Sequence, residues 1–342
     1  MAGDLVLITG ATGHLGFQVL KQALEQGYQI RAAVRSASKA KVVKDAVKDL
    51  NRDSQLDFVV VPDFLVPGAF DSAVQGVKYI IHVASPITSG IADTADHEEL
   101  LIKPAVYGTL GVFESAAKSP SVKRIVITSS IVAIASVNEI FIEGTKGATI
   151  TAESRTADVP GPYPGTMAAY AASKVAALNA AEKWIKENKP KFDVIHIHPS
   201  FIFGRDDLTT TVEGFTSGGT NGIPLTIALG KPAIEAGGYL ITTVWDTARI
   251  HVDALNPSIP GNQSFISSND GSGKWSDIND MVARHFPDQV KTGVFPNNAA
   301  PADRAVKVDV AKTEQTFGYK TSARLEEAVV SAIKHFLELT GQ

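Results

Sequence analysis

Two hydrophobic rhythms alternate along the first 200 residues: short unbroken apolar runs, and stretches whose apolar positions recur every three or four residues. Segments 5–8, 29–34, 56–61, 77–83, 122–128 and 193–199 are of the first kind and predict strands. Continuous rather than alternating apolarity suits parallel strands covered on both faces. Segments 14–26 and 97–117, one beginning just after residue 35 and another beginning near Thr166 are of the second kind and predict helices. Helices of crossover length between successive strands require an α/β fold with a parallel, doubly wound sheet. The pattern changes from about Asp206. Residues 209–222 are rich in Thr, Gly and Ser and read as a mobile loop; strands follow at 239–243 and 264–267, and helices at 245–251, 275–285, 308–317 and 325–339. The expected division is therefore 1–204, rejoined by sheet elements from about 239–267, and a smaller lobe made mainly of 205–342.

Composition narrows the functional classes. The chain has 342 residues, 44% of them apolar and 20% charged, with a net charge of −4. Nothing basic enough to hold nucleic acid or an acidic membrane surface is present. The absence of cysteine excludes disulfides, thiolate metal sites and cysteine nucleophiles. The longest uncharged apolar run, 125–138, is broken by Thr128-Ser129-Ser130 and falls short of the ~20 residues of a membrane helix. The expected setting is cytoplasmic, since the N-terminus enters a strand at once and the C-terminus carries no lipid or targeting signal.

The chemistry begins where the first strand meets the first helix, at Thr9-Gly10-Ala11-Thr12-Gly13-His14-Leu15-Gly16. Gly10 permits the tight turn, Gly13 lets backbone approach a diphosphate, and Gly16 lets the helix lie close on the sheet. The amides at the helix N-terminus would hold the phosphates. At the end of the second strand a carboxylate would select NAD. Here Arg31, Arg35, Lys39, Lys41 and Lys44 occur with no acidic residue among them, and Arg35 and Lys39 are placed to meet the 2′-phosphate of NADP. Asp63, with Phe64 beside it, either meets an adenine edge or caps a turn. Small residues at Val83-Ala84-Ser85 let backbone pass near the cofactor. Thr128-Ser129-Ser130 ends the fifth strand at the carboxyl edge, where ligands bind in open α/β sheets. Tyr170 and Lys174, four apart, share one face of a helix. An ammonium beside a phenol draws its pKa down, so the pair suits proton donation to a carbonyl. His196 and His198 share a strand face, but without a third ligand at a recognisable spacing no metal is expected.

These motifs in this order, together with His198-Pro199-Ser200-Phe201-Ile202-Phe203-Gly204, resemble an extended short-chain dehydrogenase/reductase, a Rossmann-type fold with a smaller C-terminal substrate-binding lobe. The segments 35–39, 82–86 and Tyr170-Ala171-Ala172-Ser173-Lys174 resemble its dihydroflavonol reductase-like branch, which includes fungal NADPH-dependent aldehyde, ketone and methylglyoxal reductases. The resemblance implies a catalytic triad of Ser130, Tyr170 and Lys174: Tyr170 protonates the substrate oxygen, Ser130 holds it, and Lys174 binds the nicotinamide ribose. It implies NADPH/NADP+ as cofactor, with Pro199, Ser200, Phe201 and Ile202 as the loop beside the nicotinamide carboxamide. Where relatives carry an asparagine this chain has Gly111, so a relay role cannot be carried to that position. Ile87, Ile131, Val132, Phe201, Phe215, Thr216 and Trp245 are candidate walls of the substrate pocket. The expected partner is a small-molecule carbonyl compound, and the protein a monomer or homodimer. A nucleotide-sugar epimerase or dehydratase and a non-catalytic NADP(H) sensor are the alternatives; the missing NAD carboxylate counts against the first and the Tyr–Lys pair against the second.

Overall fold

The computed structural model describes residues 3–217, 219–231 and 237–342. In chain order the first half holds β1 (Leu5–Thr9), α1 (His14–Glu25), β2 (Gln29–Val34), α2 (Ala37–Val47), β3 (Leu56–Val60), β4 (Tyr79–His82), α3 (Lys103–Ala117) and β5 (Arg124–Thr128). Next come α4 (Thr166–Asn188), β6 (Asp193–Pro199), β7 (Phe201–Phe203), α5 (Val212–Thr216), α6 (Gly222–Ala228), β8 (Ile241–Thr243) and α7 (Val244–Asp253). β9 (Gln263–Ser267), α8 (Asp277–His285), α9 (Pro287–Lys291), α10 (Ala311–Phe317) and α11 (Leu325–Thr340) close the chain. Among the described residues β3, β2, β1, β4, β5, β6 and β9 pair in that order as one parallel sheet.

The unbroken apolarity of the strands is used on both faces. Val6, Ile8, Ile195 and Ile197 pack with α1 and α7, while Leu7, Ile80, Ile125 and Ile127 pack with Val112 and Phe113 of α3. Strand order reverses at β1 and β4, which opens a crevice above their carboxyl ends. At the opposite edge, buried Arg124 spends its five donors on the Asp193 carboxylate and the carbonyls of Ala254, Asn256 and Ile259. A separate C-terminal core gathers Phe203, Trp275, Phe295, Val329 and Ile333.

The second half departs from the sequence reading in four places. The strand expected at 239–243 is confined to β8 and pairs with β7 instead of rejoining the main sheet, because β9 already occupies the open edge of β6. Consequently Phe201-Ile202-Phe203 is a strand and not a loop. The loop expected at 209–222 contains α5, whose N-cap Thr211 accepts a hydrogen bond from the Gly214 amide; its Gly218 lies outside the described residues. Val308 forms a bridge with Ile150, so the helix expected from 308 begins at Ala311. In addition, α7 packs on α1 in the N-terminal core, although it belongs by sequence to the second half. Among the described residues no helix is long and apolar enough to cross a membrane.

Candidate active site

The three glycines of the first turn are required for different reasons. Gly10 has φ +78°, and a Cβ there would stand 2.6 Å from the Ala84 amide nitrogen. A Cβ on Gly16 would stand 2.0 Å from the Gly10 carbonyl oxygen, so the helix lies directly on the turn. Gly13 is exposed and its nearest atom would be 3.6 Å away, so no protein group demands a glycine there. It is also the N-cap of α1, with no side chain capping the first amides. An uncapped helix N-terminus behind a bare glycine fits a diphosphate. Thr12 borders the same turn, Leu15 is buried beneath it, and the His14 ring interacts with the backbone of Gly204 and Arg205.

Arg35 follows β2 directly, and Lys39 sits in the first turn of α2 behind the N-cap Ser36. Both are exposed, and neither side chain has an ion pair among the described residues. Two of the neighbouring basic residues are committed elsewhere: Arg31 donates to the carbonyls of Ala73 and Gln75, and Lys41 pairs with Asp45. Asp63 accepts from the Leu65 amide at 2.8 Å, a turn cap, and Phe64 packs on Phe70. The Phe64 carbonyl would lie 3.7 Å from a Cβ placed on Gly111, so that position has room for a side chain and carries none.

The ends of β1, β4 and β5 and one face of α4 converge above the crevice. The Thr9 hydroxyl hydrogen-bonds His82 Nδ1 at 2.8 Å and accepts from the Ala84 amide, which holds Val83-Ala84-Ser85 against β1. This Thr9–His82 lock was not visible in sequence, where His82 is merely one polar residue ending an apolar run. Thr128 turns its hydroxyl to His251 Nε2 at 2.8 Å. Tyr170 and Lys174 occupy one face of α4, with the ammonium 5.5 Å from the phenol ring centroid. The ammonium donates to Ser85 Oγ at 2.8 Å, and burial brings its pKa down to about 8. The expected depression of the phenol is absent: burial pushes Tyr170 up to about 12, and a hydrogen bond with the Ser130 hydroxyl offsets only part of that. Desolvation wins because the positive charge is directed at Ser85 instead of the phenol oxygen. Ser130 itself N-caps the short turn 131–133.

The proposed pocket walls divide. Phe201 is half-buried between Phe141 and Trp275, and Ile87 is largely exposed. Ile131 and Val132 belong to a buried cluster with Ala171 and Leu178. Two of the candidate walls are packed against other parts of the fold. Phe215 is buried against His335 and Phe336 in the C-terminal core, because α5 turns its apolar side toward α11. Trp245 lies under the Arg324 guanidinium, 4.6 Å from its ring, on the α1–α7 side of the sheet. Thr216 closes a local bond to the Val212 carbonyl at 2.9 Å. Pro199 ends β6, the Ser200 amide donates to the Ser267 carbonyl, and Ile202 pairs with Thr242.

Residues 6–228 match the NAD dependent epimerase/dehydratase family. The chain is 42% identical over 348 residues to the ketoreductase CTB6 of Cercospora nicotianae, covering 99% of this chain and 96% of that protein. It is 29% identical to aldehyde reductase 2 of Sporidiobolus salmonicolor, over 96% of this chain and 94% of that one. Among solved structures, Gre2 of Candida albicans in complex with NADPH superposes with a TM-score of 0.81 at 26% identity, over 98% of this chain and 99% of that one. Yeast methylglyoxal/isovaleraldehyde reductase Gre2 complexed with NADPH superposes at 0.83, with 24% identity over the same shares.

Proposed function

Because the chain belongs to the NAD dependent epimerase/dehydratase family, the extended short-chain dehydrogenases/reductases, we propose that it reduces aldehydes or ketones to alcohols with Tyr170 as proton donor. The protein is an oxidoreductase of carbonyl reduction, and its cofactor is NADPH. The observation that carries the finer reading is the convergence of Ser130, Tyr170 and Lys174 at the carboxyl edge of the sheet, on the side served by the bare Gly13 turn.

NADPH supplies the hydride, which no protein side chain can. The Gly10–Gly16 turn would hold its diphosphate, and Arg35 and Lys39 its 2′-phosphate, as two cations with no carboxylate partner among the described residues. Lys174, already donating to Ser85, would hold the ribose beside β4. Burial favours the protonated phenol of Tyr170 at neutral pH, the form a proton donor needs. Ser130 donates to the oxygen that receives it, which lowers the cost of charge developing there. Residues 1–204 would thus carry the cofactor, and the C-terminal lobe, through Phe201, the far side of the substrate.

The test is NADPH consumption against aliphatic aldehydes, aryl ketones, α-keto esters and methylglyoxal, with NADH in parallel. Tyr170→Phe should lower turnover about 100- to 10,000-fold, with NADPH binding retained. Near-wild-type turnover in that variant would remove Tyr170 from the role.

A further inference from the structure

β6 carries a polar seam through an apolar layer. Its odd positions, Ile195 and Ile197, join the core beneath α1 and α7. Of the even positions, alternating to the opposite face, Val194 is apolar while His196 and His198 are polar, and Ser200 follows directly after the strand's last residue. His196 is 5% exposed and His198 fully buried. Among the described residues no protein group completes a hydrogen bond with His196 Nε2, either ring nitrogen of His198, or Ser200 Oγ. Three such atoms on one strand face, with Ser200 Oγ just beyond its end, are costly to leave dry. Buried polar groups in such a row are served by water.

The seam has two defined ends. At the outer end His196 lines a surface cleft of about 410 Å³ together with Arg155, Glu182, Lys186, Ser264 and Lys312. At the inner end the His198 ring lies against the Ser130 backbone, and the Ser130 hydroxyl bonds the Tyr170 phenol. Between them the two imidazoles stand nearly parallel, 11° apart with centroids 6.4 Å apart. No hydrogen bond joins the two rings directly, so a proton passing between them needs a water between.

We propose that His196, His198 and Ser200 line a hydrated proton path that runs inside the β6–α4 layer from this cleft to the Ser130 and Tyr170 hydroxyls, and reloads the phenol after each reduction. The inference rests on Tyr170 being the proton donor. Carbonyl compound, NADPH and one proton become alcohol and NADP+; Tyr170 gives up the proton, and the path returns one drawn from solvent at the cleft. Along it only O–H and N–H bonds are made and broken. Burial holds His196 down at about 4, so its imidazole is neutral in ordinary use. A neutral imidazole presents one donor and one acceptor, and passes a proton along a hydrogen-bonded file without retaining charge.

His196→Phe and His198→Phe keep an aromatic ring and remove the nitrogens. Methylglyoxal reduction at saturating NADPH is measured in H₂O and D₂O, with and without added imidazole, alongside the NADPH Kd. Expected are a kcat lowered about 5- to 50-fold, an NADPH Kd and methylglyoxal KM within about twofold of wild type, a larger solvent isotope effect on kcat, and partial recovery with imidazole. Wild-type kcat and isotope effect in both variants would overturn the path. So would a lowered kcat with an unchanged isotope effect and no imidazole recovery, which is the mark of a packing role. If His198→Phe fails to fold, His196→Phe at the cleft end decides alone. Failure of the donor assignment registers separately, as turnover retained in Tyr170→Phe.

Discussion

Alanine at each of the three turn glycines should give three different proteins. In Gly16→Ala the new methyl would lie 2.0 Å from the Gly10 carbonyl oxygen, a backbone atom that cannot rotate away. α1 must lift from the sheet, disturbing the packing of Phe17, Val19 and Leu20, and a loss of at least 3 kcal/mol is expected, on the order of a serious core overpacking. In Gly10→Ala the left-handed backbone costs about 1–2 kcal/mol, and the contact at 2.6 Å from the Ala84 nitrogen adds to it. Gly13→Ala meets nothing closer than 3.6 Å at φ −106°, so its folded state is unstrained, and stability should stay within about 1 kcal/mol of wild type. Its effect falls on the ligand instead. A methyl on the surface offered to the diphosphate should raise the NADPH Kd at least about tenfold, or 1.4 kcal/mol. Urea melts and NADPH fluorescence titrations separate the two quantities. Gly13→Ala binding NADPH as tightly as wild type, or melting like Gly16→Ala, would refute the assignment of one glycine to the ligand and two to the fold.

Arg35→Ala should raise the NADPH Kd about 10- to 100-fold while changing the NADH Kd less than about twofold, since a charge-assisted phosphate contact contributes about 1.5–3 kcal/mol; equal effects on both cofactors would remove the 2′-phosphate role. Arg124→Lys keeps the charge but cannot reproduce a planar five-donor fork, so it should cost about 2–4 kcal/mol in urea melts, and an unchanged midpoint would contradict the buried network. Acid should weaken the fold early. Burial lowers His82, His196 and His251 from 6.5 to about 4, so between these values the unfolded chain binds more protons than the folded one, and stability falls as the pH drops. Each histidine removes about 2 kcal/mol between pH 7 and pH 5; urea melts showing a flat stability over that interval would mean the rings are charged in the fold.

What could be read from the sequence was whatever a local pattern encodes. Strands covered on both faces declare themselves by unbroken apolar runs, and the Gly10-Gly13-Gly16 spacing between strand and helix declares a tight turn with the helix laid close on it, because backbone conformation and helix geometry are short-range properties. The α4 spacing of Tyr170 and Lys174 was of the same kind. What the sequence could not determine depended on competition between distant segments. β8 pairs with β7 because β9 took the edge of β6, and no property of residues 239–243 alone reports that an edge is occupied. Phe215 and Trp245 have the composition of pocket walls, yet α11 and Arg324 cover them. The phenol of Tyr170 has an ammonium four residues away, but the direction of that charge was decided by Ser85, 89 positions distant in sequence. Desolvation, strand pairing and the partners of buried polar atoms are sums over neighbours that only the folded chain assembles, and His196, His198 and Ser200 gain their meaning in the same way.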